Sequence, residues 1–258
     1  MIQEVKDGYV KVETHQQVTT IEFFHPQSNS LPARLLEELA KQIHAAGNDQ
    51  ETRVVLLRSG GERAFCAGAS FDELVAIRNP EQGLQFFSGF AHVINAMRTC
   101  PHLIVARIQG KCVGGGVGIA AAADYAIAAE GADIKLSELA IGIGPFVVGP
   151  AIERKLGLSA FSQLAIDAFL WRNADWARRK GLYAELHPGT EGMDESILRL
   201  CTSLSRANPE AMQELKKICW KGTEHWDQLL LERAAVSGRL ILGSHSQKAL
   251  EALKKKTV

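Results

Sequence analysis

The chain has 258 residues, of which 46% are hydrophobic and 22% charged, with Lys plus Arg and Asp plus Glu both numbering 29. That is the composition of a folded protein with a substantial core, in one large or two modest domains, and not of a disordered or membrane-embedded chain. With the charges balanced there is no overall field to attract nucleic acid or an anionic membrane, so an anionic ligand has to be held locally.

The opening, MIQEVKDGYVKVE, lacks the basic stretch and apolar run of a secretory signal. No apolar segment reaches the ~20 residues of a membrane span. A cytoplasmic location is expected. Cys66, Cys100, Cys112, Cys201 and Cys219 are odd in number and have neither CxxC spacing nor nearby histidines. They read as free thiols in a reducing compartment, with no metal expected.

In chain order, Val10 and Val12, then Ile21 and Phe23, alternate with polar neighbours and predict an N-terminal hairpin. Leu35, Leu39 and Ile43 follow Pro32 at a spacing of four and predict an amphipathic helix over 32–46, ended by Gly47. Val54–Leu57, Leu103–Val105 and Tyr125–Ala128 are apolar runs expected of strands covered on both faces. A helix over Gln82–Met97, stopped by Pro101, separates the first two.

This alternation predicts an α/β fold. Strand signals vanish after about residue 193, so a boundary is placed near Gly192: a core over 1–192 and a helical region over 193–258. In that region Ile197, Cys201 and Leu204 form one stripe, and Met212, Leu215 and Cys219 another, after Pro209. Leu229, Leu230, Leu240, Ile241 and Leu242 supply more apolar surface than a lone helix can hide, which implies packing on the core or on another subunit.

Two glycine-bearing segments each follow a buried strand and precede a helix: Arg63-Ala-Phe-Cys-Ala-Gly-Ala-Ser-Phe-Asp-Glu-Leu74 and Gly110-Lys-Cys-Val-Gly-Gly-Gly-Val-Gly118. Glycines at 68 and 114–116 permit backbone shapes that leave amide N–H groups free. The second segment also opens an apolar helix over Gly115–Ala123, whose dipole favours negative charge at its start. Close helix packing explains a triple glycine about as well as anion binding does.

The first segment resembles the "AF-x-AGAD" stretch of the enoyl-CoA hydratase/isomerase (crotonase) family, and the second its "NG-x-x-x-GGG" stretch, in the same order and separation. Lys135-Leu-Ser-Glu-Leu-Ala-Ile-Gly-Ile-Gly-Pro145 resembles the family's "PE-x-x-x-G", and Asn29-Ser-Leu31 its "NAL". The resemblance spans nearly the whole chain. It implies a crotonase-like spiral of repeated β-β-α units with an all-helical C-terminal region, and an acyl-CoA substrate whose coenzyme A is not a separate cofactor. It also implies a homotrimer or dimer of trimers.

Carried over position by position, the resemblance implies an oxyanion hole formed by the amides of Ala69 and Gly115, with Glu138 as acid–base group. Substrate contacts are expected from Ala67, Gly68, Phe71, Gly114, Gly118, Pro145 and Phe146, and phosphate contacts from Arg63 or Lys256. The tail departs from the family's "F-x-x-KR" by offering Leu253 before Lys254.

Hydratases of the family carry a second glutamate two positions after the triple glycine, where this chain has Gly118. Adding water calls for a group to hold and deprotonate it, whereas shifting a double bond from β,γ to α,β needs one base. Gly142-Ile-Gly-Pro-Phe146 also resembles the "APF" stretch of family isomerases without the second acid. Isomerisation is therefore favoured, with hydration of an enoyl-CoA or methylglutaconyl-CoA-like substrate and acyl-CoA decarboxylation as alternatives. Asp72, Glu73 and Glu153 are other candidates for a missing carboxylate.

Two other classes compete. Gly116-Val-Gly118-Ile-Ala-Ala121 fits a dinucleotide fingerprint, with Glu138 roughly 20 residues on. A non-catalytic or RNA-binding scaffold is the other, although no basic stripe supports it. Trp171 and Trp176 are expected to shape the acyl pocket or the core.

Overall fold

A computed structural model describes residues 6–257, with side chains as far as Lys254. The chain opens with an antiparallel hairpin, β1 (Tyr9–His15) and β2 (Val18–Phe24), and continues through α1 (Ala33–Asn48). Next come β3 (Val54–Ser59), β4 (Ala64–Cys66), α2 (Phe71–Ala76) and α3 (Pro80–Thr99). After β5 (Leu103–Ile108) and β6 (Lys111–Val113) follow α4 (Gly115–Ala122), β7 (Tyr125–Ala129), β8 (Ile134–Lys135) and a 3-10 turn over Leu139–Ile141.

The repeat is plain in the pairing. β3, β5 and β7 join a six-stranded sheet of order β1-β2-β3-β5-β7-β9, while the strand after each of them, β4, β6 and β8, joins a second sheet of order β4-β6-β8. Each turn of the spiral therefore delivers one strand to each sheet and then a helix. The remaining elements are α5 (Gly149–Leu156), α6 (Leu158–Ile166), α7 (Ala174–Arg179), β9 (Glu185–His187), α8 (Thr190–Ser205), α9 (Pro209–Cys219), α10 (Trp226–Leu240) and α11 (Ser244–Thr257).

The strands are covered on both faces, as their apolar runs require. Val55, Leu57, Ile104, Ala106 and Ala128 face the main core with α1, α3 and α4, while Val54, Val105 and Ile127 pack on Met193, Ile197 and Cys201 of α8. Local signals set the helix starts: the Asn79 side chain caps α3 before Pro80, and that of Asn208 caps α9 before Pro209.

Two details differ from expectation, the end of α1 and the buried face of α9. Gly47 does not end α1 but lies inside it, where a Cβ would come 3.0 Å from the Pro101 ring. The helical region opens with α8 at Thr190, two residues before the boundary placed near Gly192. On α9, Leu215 and Cys219 are exposed, and the residue buried beside Met212 is Lys216. A polar residue on a buried face defeats a reading by apolar periodicity. Here Lys216 Nζ donates to the carbonyl oxygens of Met97 and His102 and to Asp124 Oδ2, which satisfies its charge.

The helices after Thr190 pack on the core. Trp226, Leu230 and Ala234 of α10 are buried in the main cluster. α10 crosses α3 where Gly83 meets Gly238: a Cβ on Gly83 would fall 2.6 Å from the Gly238 Cα. α11 docks on the 3-10 turn, where Ser246 Oγ donates to the Gly142 carbonyl oxygen, and Leu250 joins Ile241, Leu74, Phe86 and Ile143 in a small cluster.

Candidate active site

The two glycine segments lie side by side because β4 and β6 pair in parallel, Cys66 opposite Cys112. At Gly68 the backbone turns with φ +93°, which only glycine adopts without strain. On one side of that turn Leu31 N–H donates to the Gly68 carbonyl oxygen, and on the other Ser70 N–H donates to that of Leu31. In such a parallel bridge the intervening residue, Ala69, turns its own amide away from Leu31. Asn29, itself buried, holds the loop that makes this bridge: its Nδ2 donates to the carbonyl oxygens of Gly60 and Ala64, and its Oδ1 accepts from His25 N–H.

Gly114, at φ +53°, starts α4 and presents the Gly115 amide at the helix N-terminus. A Cβ on Gly68 would sit 3.7 Å from the Gly115 nitrogen, so the two loops touch. Residues larger than glycine have no room here: a Cβ would come 2.2 Å from the Phe90 ring at position 115, and 2.3 Å from the Cys66 carbonyl oxygen at position 116. Among the described residues, neither the Ala69 nor the Gly115 amide donates to a backbone carbonyl outside the regular elements.

Glu138 faces this pair of loops from the residue before the 3-10 turn. Its Oε1 lies 3.0 Å from where a Gly114 Cβ would be, so the glycine makes the space that the carboxylate fills. Its Oε2 is buried with no hydrogen-bond partner. Burial pushes the Glu138 carboxyl up to about 7, against a smaller opposing effect of the backbone amides of Glu138 and Ser137. A carboxyl so poised can both take and return a proton near neutrality.

These groups open into a cavity of about 650 Å³. Of the residues expected at the site, Ala67, Gly68, Ala69, Phe71, Gly114, Gly115, Glu138, Pro145 and Phe146 all line it. The sequence reading missed most of the apolar wall, which is Leu74, Phe86, Phe87 and Phe90 from α2 and α3, Ile141, Ile143, Val147 and Val148 in and after the 3-10 turn, and Leu253 from α11, and it missed the polar Ser237 of α10. Phe86 and Phe90 carried a signal, since a helix expected only to fill a core shows them one turn apart.

Arg63 does not reach this cavity. It is exposed and lines a neighbouring cleft with Lys6, His25 and Glu62, because β4 carries the chain away from it before the glycine loop begins; the two spaces share Ser28. The side chain of Lys256 lies outside the described residues.

Gly118 also fails to line the cavity. A Cβ there would be 2.6 Å from Val148 Cγ1 and 3.6 Å from Ile94 Cδ1, so the volume into which a side chain would grow is already packed. The substitute carboxylates are placed unequally. Glu73 accepts from the Ala33 amide and Glu153 lies on α5 away from the lining, whereas Asp72 is at the cavity's exposed rim beside Gln27.

Neither tryptophan shapes the cavity. Trp171 is 39% exposed beneath the ammonium groups of Lys111 and Lys135, and Trp176 packs partly buried on the core. The dinucleotide-like run lies inside α4, buried throughout, so its small residues serve close packing. Cys66, Cys100, Cys112 and Cys201 are buried free thiols and Cys219 an exposed one; burial raises Cys66 to about 12. Among the described residues no group of three or more His, Cys, Asp or Glu could hold a metal ion, and no helix is long and apolar enough to cross a membrane.

The family model for enoyl-CoA hydratase/isomerase matches residues 13–254. The chain belongs to this family. Its members are enzymes, and the mouse mitochondrial methylglutaconyl-CoA hydratase is 31% identical over 202 residues, 76% of this chain and 63% of that protein. A Bacillus subtilis protein named probable enoyl-CoA hydratase is 30% identical over 140 residues, 54% of each chain. The match thus spans under two thirds of either relative's length. The crystal structure of an enoyl-CoA hydratase from Bacillus halodurans superposes with a TM-score of 0.87 over 95% of this chain and 99% of that one, at 23% identity, which establishes a shared crotonase fold.

Proposed function

We propose that this family member isomerises the double bond of an enoyl-CoA thioester through an enolate. In this reading the thioester oxygen lies between the Ala69 and Gly115 amides. As the α proton leaves, charge moves onto that oxygen, and two fixed donors plus the α4 dipole stabilise it more than the neutral carbonyl. Glu138 takes the proton from the α carbon and returns it to the γ carbon, moving a β,γ double bond to the α,β position.

The observation that carries the choice of reaction is Val148 packed against Gly118. With that place filled, Glu138 is the one carboxylate among the described residues that faces the two loops from within the cavity, and one base suffices for a proton shuttle on one face. Hydration is the second reading, favoured by the names of the relatives, with Asp72 at the rim as the group that would hold water. The cleft lined by Lys6 and Arg63 is the candidate seat for the nucleotide phosphates. Exposed Leu158, Ile166 and Phe169 support self-association, which light scattering tests.

Incubation with 3-hexenoyl-CoA and 2-hexenoyl-CoA, followed by mass spectrometry and absorbance of the conjugated thioester, decides between the readings. Isomerisation leaves the mass unchanged while conjugation appears; gain of one water on the 2-enoyl substrate establishes the hydratase instead.

A further inference from the structure

Resting on the acyl-CoA reading above, we infer that the site selects acyl groups that carry no charge beyond the thioester and rejects thioesters of dicarboxylic acids. The cavity is walled by Phe86, Phe90, Ile143, Phe146 and Val148, and apart from two acids its polar side chains are neutral: Gln27, Ser28, Ser30, Ser137 and Ser237. Among the described residues that line the cavity, the only charged ones are Asp72 and Glu138, both acids; no Lys, Arg or His is among them. The Arg233 guanidinium approaches from outside, 3.4 Å from the Phe146 carbonyl oxygen, and is not part of the lining.

An acyl chain ending in a carboxylate would bring a negative charge into an enclosure whose buried ionisable group, Glu138, is itself an acid, and where no described lining residue supplies a cation. A buried ion without a partner is strongly disfavoured, and like charges in one enclosure add to the cost. A glutaconyl group is the acyl of a dicarboxylic acid, so the substrate named for the mouse relative is excluded here despite 31% identity.

Calorimetric titration of the full chain with hexanoyl-CoA and adipoyl-CoA, equal in length and differing in the terminal carboxylate, tests this. Adipoyl-CoA is expected to bind at least about 100-fold more weakly. Affinities within about 3-fold of each other overturn the inference while leaving the acyl-CoA reading standing, provided hexanoyl-CoA binds. Failure of hexanoyl-CoA to bind at all overturns the parent reading and this one with it. Phe87→Arg, on the partly exposed wall, supplies a cation and is expected to narrow the preference about 10-fold or more in a variant whose circular dichroism is native. A preference unchanged in that variant means that charge is not its cause, and overturns the inference.

Discussion

Lys216 Nζ lies 2.9 Å from Asp124 Oδ2, a buried ion pair that fastens α9 to the end of α4 and the start of β7. Asp124 also accepts from the Trp220 indole and from the Ile104 amide, so both ions keep hydrogen-bonded surroundings. Lys216→Ala removes one ion, leaves the other buried, and frees two carbonyl oxygens. A loss of about 3 kcal/mol is expected, read as a lower midpoint in urea unfolding. A midpoint shifted by less than about 0.5 kcal/mol equivalent would refute this account of the pair.

Gly118→Glu restores the family's second acid in sequence but not in space. Val148 occupies the route of the new side chain, so the variant is expected to be destabilised by several kcal/mol, as overpacked cores are, and to hydrate nothing. Adding Val148→Ala should recover much of the stability. Thermal melts of the single and double variants check this.

Glu138 governs two pH dependences of opposite sense. In the proposed reaction its carboxylate is the base, so kcat/KM is expected to rise through about pH 7 and level off above. Stability runs the other way. The folded protein holds a proton that the unfolded chain has released, so stability falls as pH climbs from 4.5 to about 7 and is flat beyond. Glu138→Gln removes both effects: turnover drops ~10²–10⁴-fold, and relative to wild type the variant gains up to about 3 kcal/mol at pH 8 but nothing at pH 4. Melts of the two proteins at both pH values, with a rate profile, measure them.

Gly115→Val drives a methyl-bearing carbon into the Phe90 ring and moves the amide. Turnover is expected to fall at least about 10²-fold, on the scale of losing one oxyanion donor. Single-turnover assays on soluble variant protein check it. Ordinary activity would mean that the amide is not a donor.

Ser246→Ala releases the hydroxyl that α11 sets on the Gly142 carbonyl oxygen, one turn beyond Glu138. A positioning role predicts a lower kcat with little change in KM, and a mere stability role would leave both unaltered in folded enzyme.

Much of this was legible in the residues. Val54–Leu57 and Leu103–Val105 announced strands buried twice over, and α8 on the far face explains why. The motif glycines and Glu138 led to the cavity because backbone shape, which glycine dictates, is local. What stayed hidden was contact between distant parts. Nothing near Gly118 tells that Val148, thirty residues on, fills its space, and nothing near Ser237 tells that it lines the same cavity as Phe86. Lys216 broke an apolar stripe because its partner, Asp124, belongs to another layer.

At the crossing of α3 and α10, Gly83 and Gly238 meet backbone to backbone. α3 bears Phe86, Phe87 and Phe90, and α10 bears Ser237, so the bore of the chamber depends on the close approach of two glycines that do not themselves line it. A single methyl group at either place would wedge the helices apart and resize the cavity between them. The width of this cavity can thus drift through substitutions outside its wall, leaving Glu138 and the two glycine loops as they are.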